Sequence, residues 1–225
     1  MRTLAVLPVK RFDAAKTRLA ESLPSGTRRA VAEAMFGDTL AALVRVRGLS
    51  AVAVVTAEEA AEARAADHGA IVLRDEQEAG HNPAAAIGIR HALAEGYERV
   101  LLVPGDTPLL VPGEVEGLLE RSAAGEIGVA IVPDRHGSGT NGLLIRPPDA
   151  FEPAFGPDSR RRHVERAARA GLTHVVEPLA SLTFDVDTPL DFADLSTVLD
   201  ARPGAAPRTR GLLRSGLGPR GAAAA

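Results

Sequence analysis

Cysteine is absent from the 225-residue chain, which excludes disulfides, thiolate metal sites and a cysteine nucleophile, and is compatible with a reducing cytoplasm. Long apolar runs are missing too. No stretch approaches the length that crosses a bilayer, and Arg2 is not followed by the extended apolar region of an export signal, so a soluble, cytoplasmic protein without membrane partners is expected. The chain has no Gly-x-Ser-x-Gly, no Walker loop and no Gly-x-Gly-x-x-Gly after its first apolar run, which weakens hydrolase, P-loop and dinucleotide readings. His68, His81, His91, His136, His163 and His174 show neither zinc spacing nor a paired nucleophile and read as surface or internally satisfied residues. Acid is missing from residues 201–225, which hold Arg202, Arg208, Arg210, Arg214 and Arg220. Removing these five arginines from a net charge of −3 leaves −8 on residues 1–200. An acidic body argues against nucleic acid as the main partner, because such binding needs a broad basic face. The Ala, Gly, Pro and Arg of 201–225 have no periodicity, so this segment is expected to be a disordered tail behind a domain of residues 1–200.

What is present is an alternation of short apolar strands with helical patterns. Thr3 to Val9, Ala51 to Thr56, Ala70 to Leu73, Arg99 to Val103 and Gly128 to Val132 read as strands, the first run breaking at Pro8. Thr27 to Val46, Glu58 to Asp67, Pro83 to Glu95 and Val115 to Ser122 have helical spacing, with Asn82-Pro83 as a cap and first-turn proline. Repeated strand then helix predicts an α/β fold on a mostly parallel, doubly wound sheet. Beyond residue 133, strands at Leu143 to Ile145, His174 to Val176 and Leu182 to Phe184 are expected, with helices from Arg160 to Ala170 and Pro189 to Leu199.

Four cations, Lys10, Arg11, Lys16 and Arg18, follow the first strand directly. In such a fold that loop faces the ligand crevice, so they would converge on an anion, a polyphosphate first. Asp106, in Pro104-Gly105-Asp106-Thr107-Pro108, ends the most apolar strand and is a candidate Mg²⁺ ligand, although turn chemistry would also explain it. Asp185 and Asp187 share a face of an extended segment and could address one cation, while Thr188 and Asp191 have the spacing of a capping box. The loop Gly137-Ser138-Gly139-Thr140-Asn141-Gly142 could hold an oxyanion with its amides and the Thr140 hydroxyl. A helix opened by Asp158-Ser159 with three arginines in its first turn opposes its own dipole unless an anion binds there. A basic loop, crevice carboxylates and an anion pocket suit nucleotidyl transfer to an acceptor oxygen.

Together, Val9-Lys10-Arg11-Phe12-Asp13-Ala14-Ala15-Lys16-Thr17-Arg18-Leu19, Asn82-Pro83-Ala84-Ala85-Ala86, Gly105-Asp106-Thr107-Pro108, Gly139-Thr140-Asn141, Phe155-Gly156-Pro157-Asp158-Ser159 with His163, and Asp185-Val186-Asp187-Thr188-Pro189 resemble the phosphoenolpyruvate or 2-phospho-L-lactate guanylyltransferases of coenzyme F-420 biosynthesis. The resemblance implies a single-domain, Rossmann-like nucleotidyltransferase fold of the nucleotide-diphospho-sugar transferase type, with a mixed, mostly parallel sheet. It implies GTP as co-substrate and Mg²⁺ as metal. Phosphoenolpyruvate would bind at Thr140, Gly156 and Ser159, the triphosphate side would use Lys10, Lys16, Arg18 and Asn82, and the metal would sit on Asp106 and Asp187, with Asp185 as a further candidate. Lys16, Asp106 and Asp187 would carry catalysis. No residue decides between phosphoenolpyruvate and 2-phospho-L-lactate, and hand-over of the product to the next enzyme is chemically reasonable. A glycosyltransferase using Asp185-x-Asp187 and a non-catalytic nucleotide-binding module are the more distant alternatives.

Overall fold

Strand β1 runs from Thr3 to Val9, as expected, with Pro8 inside it. The computed structural model, which describes residues 1–20, 22–125 and 127–217, shows why proline is tolerated there. β1 pairs along its length with β2 (Ala51–Thr56), in the register Leu4 opposite Ala51 to Val9 opposite Thr56. Its pairing with β4 (Arg99–Leu102) stops at Val6 opposite Leu102, with a last bond from the Val103 amide to the Val6 carbonyl. Alternate residues turn their amides to opposite neighbours, so Pro8 faces the side that β4 has already left. Its missing N–H therefore breaks no ladder bond. The divergence of β1 from β4 is the crevice.

The remaining strands are β3 (Ile71–Arg74), β5 (Val129–Pro133), β6 (Thr140–Ile145) and β7 (His174–Val176), in the order β3-β2-β1-β4-β6-β5-β7. β6 runs antiparallel to both its neighbours and the other strands are parallel to one another. This is a single α/β domain with a mixed, mostly parallel sheet. The strand order reverses between β1 and β4, the switch point at which such sheets bind ligands.

Helices α1 (Ser25–Leu43), α2 (Glu59–Asp67) and α4 (Pro112–Ala124) cover one face, packing Phe36, Leu40, Ala61 and Leu118 on Ala5, Leu7, Val54 and Leu101. Helices α3 (His81–Ala94) and α5 (Ser159–Arg169) cover the other, α3 with Ala85 and Ile89 toward β1, β2 and β4 and α5 with Ala167 toward β5 and β7. Adjacent residues of β1 thus enter opposite cores, which is why the strand reads as continuously apolar. At Gly88 a Cβ would lie 2.3 Å from the Val6 side chain, so only glycine lets α3 approach β1 this closely. Helix α6 (Pro189–Ala201) and α7 (Pro207–Leu212) form an outer layer on α1, burying Phe192, Leu195 and Leu199 against Val31 and Met35. Buried on both sides, α1 lacks the polar stripe of a surface helix.

Several expectations need correction. Leu182 to Phe184 forms a turn, not a strand, because Leu182 satisfies its apolar side chain in the core without joining a ladder. Helix α3 starts at His81 with Gly80 in the cap position, so Asn82 is inside the first turn and not its cap. Thr140 to Gly142 belong to β6, leaving a shorter loop at 134–139. The tail is ordered through its described part: the buried Asp38 carboxylate of α1 accepts from the Arg208 amide (3.1 Å), the Thr209 amide (2.8 Å) and the Thr209 hydroxyl (2.7 Å). Arg210 donates to the carbonyls of Leu199 and Arg202. The rest of the tail expectation, at 218–225, lies outside the described residues. No described helix is long and apolar enough to cross a membrane.

Candidate active site

The crevice holds a cavity of about 500 Å³ lined by the loop after β1, by Asp75, Glu78 and His81 on one side, and by Gly105, Asp106 and Asp187 on the other. Lys10, Lys16, Asp106 and Asp187, picked out from the sequence, all line it. Asp75, Glu78 and His81 were not anticipated; only their place at the carboxyl end of β3 and the start of α3 signals them.

Lys16 adopts a left-handed backbone conformation, φ 55°, between two 3₁₀ turns. For a non-glycine residue this costs about 1–3 kcal/mol. The bend buries the side chain and brings Nζ to 2.5 Å from Asp106 Oδ2 and 3.2 Å from Asp187 Oδ1. Arg18 reaches Asp187 Oδ2 at 3.4 Å from the solvent side. Asp187 is held by the start of α6, where Asp191 accepts from the Asp187 and Thr188 amides at 2.9 and 2.7 Å and Thr188 accepts from the Asp191 amide, closing the anticipated capping box. Arg135 pairs with Asp191 from the other side and packs its guanidinium over Phe184.

Burial disfavours both charged forms, but the pairing outweighs it: Lys16 titrates above the ordinary lysine range and Asp106 below the ordinary carboxylate range. Asp185 is pushed up to about 6 by burial and by the like charges of Asp106 and Asp187, against a 3.3 Å bond from Asn141 Nδ2. Burial, reinforced by the charge of Lys10 and opposed by Asp106, lowers the His81 pKa. Two carboxylates thus point at one spot that a cation, the Lys16 ammonium, already fills. Among the described residues no group of three or more acidic, histidine or cysteine side chains is placed to hold a metal ion. Such hard, two-carboxylate oxygen sets fit Mg²⁺ when substrate phosphates and water complete the shell.

Thr140, Gly156 and Ser159 do not line this cavity; they lie at the start of β6, in the turn before α5 and at the start of α5. The Arg160 amide donates to the Ser138 carbonyl at 3.1 Å, joining the start of α5 to the loop before β6. Gly156, at φ 110°, makes a turn that a side chain would strain, and Ser159 is the buried first residue of α5. Asn82 Oδ1 accepts from the Phe155 amide (2.8 Å) and Nδ2 donates to the Phe155 carbonyl (3.2 Å), so both ends of its amide clamp the residue before Gly156. The ring of Phe155 stands edge-on between His81 and His163, with centroids at 4.5 and 5.1 Å. Phe155 thereby links His81, which lines the cavity, to His163, which bonds Thr140, while Asn141 beside Thr140 donates to Asp185.

A family model described as "Guanylyl transferase CofC like" matches residues 3–203. The chain belongs to this CofC-like guanylyl transferase family. Relatives agree: a phosphoenolpyruvate guanylyltransferase of Conexibacter woesei is 48% identical, covering 95% of this chain and 96% of its own. A phosphoenolpyruvate guanylyltransferase of Sphaerobacter thermophilus is 38% identical over 87% and 93% of the two chains. Among solved structures, a candidate nucleotide-diphospho-sugar transferase from Desulfovibrio desulfuricans G20 superposes with a TM-score of 0.76 at 21% identity, covering 95% and 94% of the chains. A cytidylyltransferase from Leptospira borgpetersenii superposes at 0.60 with 13% identity over 99% of each. The structural likenesses establish the fold of this CofC-like chain, and the sequence relatives its family.

Proposed function

We propose that this CofC-like protein transfers GMP from GTP to the phosphate of phosphoenolpyruvate, releasing pyrophosphate and forming enolpyruvyl-diphospho-5'-guanosine for coenzyme F-420 biosynthesis. The observation that carries the reading is the convergence of Lys16, Asp106 and Asp187 at the β1/β4 switch point. An ionised acceptor phosphate is already a nucleophile, so its oxygen attacks the α-phosphorus of GTP without a general base while the bond to pyrophosphate breaks. Lys10, Lys16 and Arg18 neutralise the triphosphate, and Lys16, held at the crevice floor, is placed to follow the charge that develops there. Thr140, Gly156 and Ser159 hold the acceptor, and the Asn82 clamp on Phe155 keeps the Gly156 turn in place. Asp106 and Asp187 would hold Mg²⁺, which when bound supplies further charge neutralisation at the phosphates. Direct hand-over to the consuming enzyme would protect an activated diphosphate that lies next to a carboxylate.

The test is pyrophosphate release from GTP and Mg²⁺ with phosphoenolpyruvate, 2-phospho-L-lactate, 3-phosphoglycerate or no acceptor, with the product mass recorded. Release with phosphoenolpyruvate and a product carrying both enolpyruvyl and guanosine groups is expected. Preference for 2-phospho-L-lactate would move the assignment to that acceptor, and release with none would overturn the reading.

A further inference from the structure

The buried ring of His163 lies outside the reaction just described, yet it contacts two of the three elements that form the acceptor wall and sits on the third. Its Nε2 lies 2.9 Å from the backbone amide of Ala154, and its Nδ1 lies 3.0 Å from Thr140 Oγ1. A backbone amide can only donate, so Nε2 must be the acceptor, and in the neutral ring the proton then resides on Nδ1. Nδ1 consequently donates to Thr140. One lone pair of the Thr140 oxygen is then engaged, and its own proton remains free for an acceptor elsewhere. Among the described residues Thr140 Oγ1 has no other hydrogen-bond partner.

The surroundings keep the ring in that state. His163 is fully buried against Phe151 and Phe155, and the groups that act on its charge are Arg166, Arg162 and His81, none of which favours a second proton. His163 also lies one helical turn after Ser159 on α5, on the same face. One ring therefore ties β6 at Thr140, the 154–156 segment ahead of Gly156 and the helix that begins at Ser159.

We infer that His163 is a positioning residue for the acceptor: its Nδ1–H fixes the Thr140 hydroxyl as a hydrogen-bond donor directed at an oxyanion of the acceptor. A hydroxyl oriented with its proton free suits a phosphate or carboxylate oxygen, which can only accept. The inference rests on the acceptor site proposed above.

Two amide replacements separate its two bonds. Asn at 163 can place an N–H where Nδ1 stands, and Gln can reach the Ala154 amide with its carbonyl but has no N–H at the Nδ1 position. His163→Gln is expected to raise the KM for phosphoenolpyruvate roughly tenfold with the KM for GTP unchanged, the size of one hydrogen bond to a charged group. His163→Asn should restore most of that loss. In the Thr140→Val background His163→Gln should add little, because the ring acts through a hydroxyl no longer there. Equal increases in both KM values, or full additivity of the two changes, would overturn the inference while leaving the acceptor site standing. An unchanged KM for phosphoenolpyruvate in Thr140→Val would overturn the acceptor site and the inference with it. For variants that fold poorly, ¹⁵N NMR of the imidazole in the unaltered protein decides: a proton on Nδ1 near pH 7 is expected, and one on Nε2 overturns the inference.

Discussion

Lys16 Nζ stands 2.5 Å from Asp106 Oδ2 and also contacts Asp187, so the two carboxylates are held together by an ammonium supplied from the opposite wall. The arrangement keeps the crevice assembled before any ligand arrives. It also means that a divalent cation between the carboxylates must share them with Lys16 or displace it. The displaced ammonium would remain at the crevice floor, beside the phosphates.

Asp106→Ala should therefore lower turnover on the order of 100-fold or more, as loss of a main electrostatic group does. It should also cost about 1–3 kcal/mol of stability, because Lys16 keeps only Asp187 as a partner in a half-open crevice. Turnover at saturating Mg²⁺ and a thermal melt check both; ordinary rates in a folded variant would remove Asp106 from the site.

Ser159→Ala is expected to raise the KM for phosphoenolpyruvate about fivefold with little change for GTP and an unshifted Tm, since no described group depends on its hydroxyl. A larger effect on GTP would mean that the nucleotide, and not the acceptor, occupies the wall of β6 and α5.

Much of this was legible from residue types and order, and the misreadings share a cause. β1, β2 and β4 are continuous apolar runs because both their faces are buried, and three of the four cations after β1, Lys10, Arg11 and Lys16, line the crevice as the fold class requires, while Arg18 stays on the solvent side. Pro8 interrupts the apolar run without ending the strand, because its cost depends on where β4 ends. Asn82 resembled a cap, yet its amide is engaged by Phe155, 73 residues away. His163 has no local signal of its bond to Thr140, and the 201–217 segment has no periodicity because its order comes from Asp38 on α1. In each case the decisive partner is distant along the chain.

His163 also predicts an acid limb of stability. Burial and the nearby Arg166 and Arg162 lower its pKa from the ordinary 6.5 to about 4. As pH falls past 6.5 the unfolded chain binds a proton there that the folded ring refuses until about 4, so stability is full above 6.5, declines across this window and levels off below it. The loss is on the order of 3 kcal/mol. Urea unfolding from pH 4 to 7 should show a shallower decline in His163→Asn than in the unaltered chain, and equal slopes would assign the ring an ordinary pKa.

Truncation before residue 203 tests the outer layer. A disordered tail could be removed without consequence, but here α7 supplies all three donors to the Asp38 carboxylate and Ala205, Ala206 and Leu212 cover Met35 and Leu199. Removing 203–225 leaves a buried charge unpaired and an apolar helix face wet, and should cost about 3–5 kcal/mol. Thr209→Val is the gentler version: it deletes the 2.7 Å hydroxyl bond while the two amide bonds remain, and should cost about 1 kcal/mol. Because α7 touches α1 on the side away from the cavity, both changes should lower Tm while leaving KM for GTP and phosphoenolpyruvate unaltered at temperatures where the protein is folded. A truncated protein with an unchanged Tm would show that Asp38 finds other partners. One with normal Tm and raised KM would place the tail's role at the site itself.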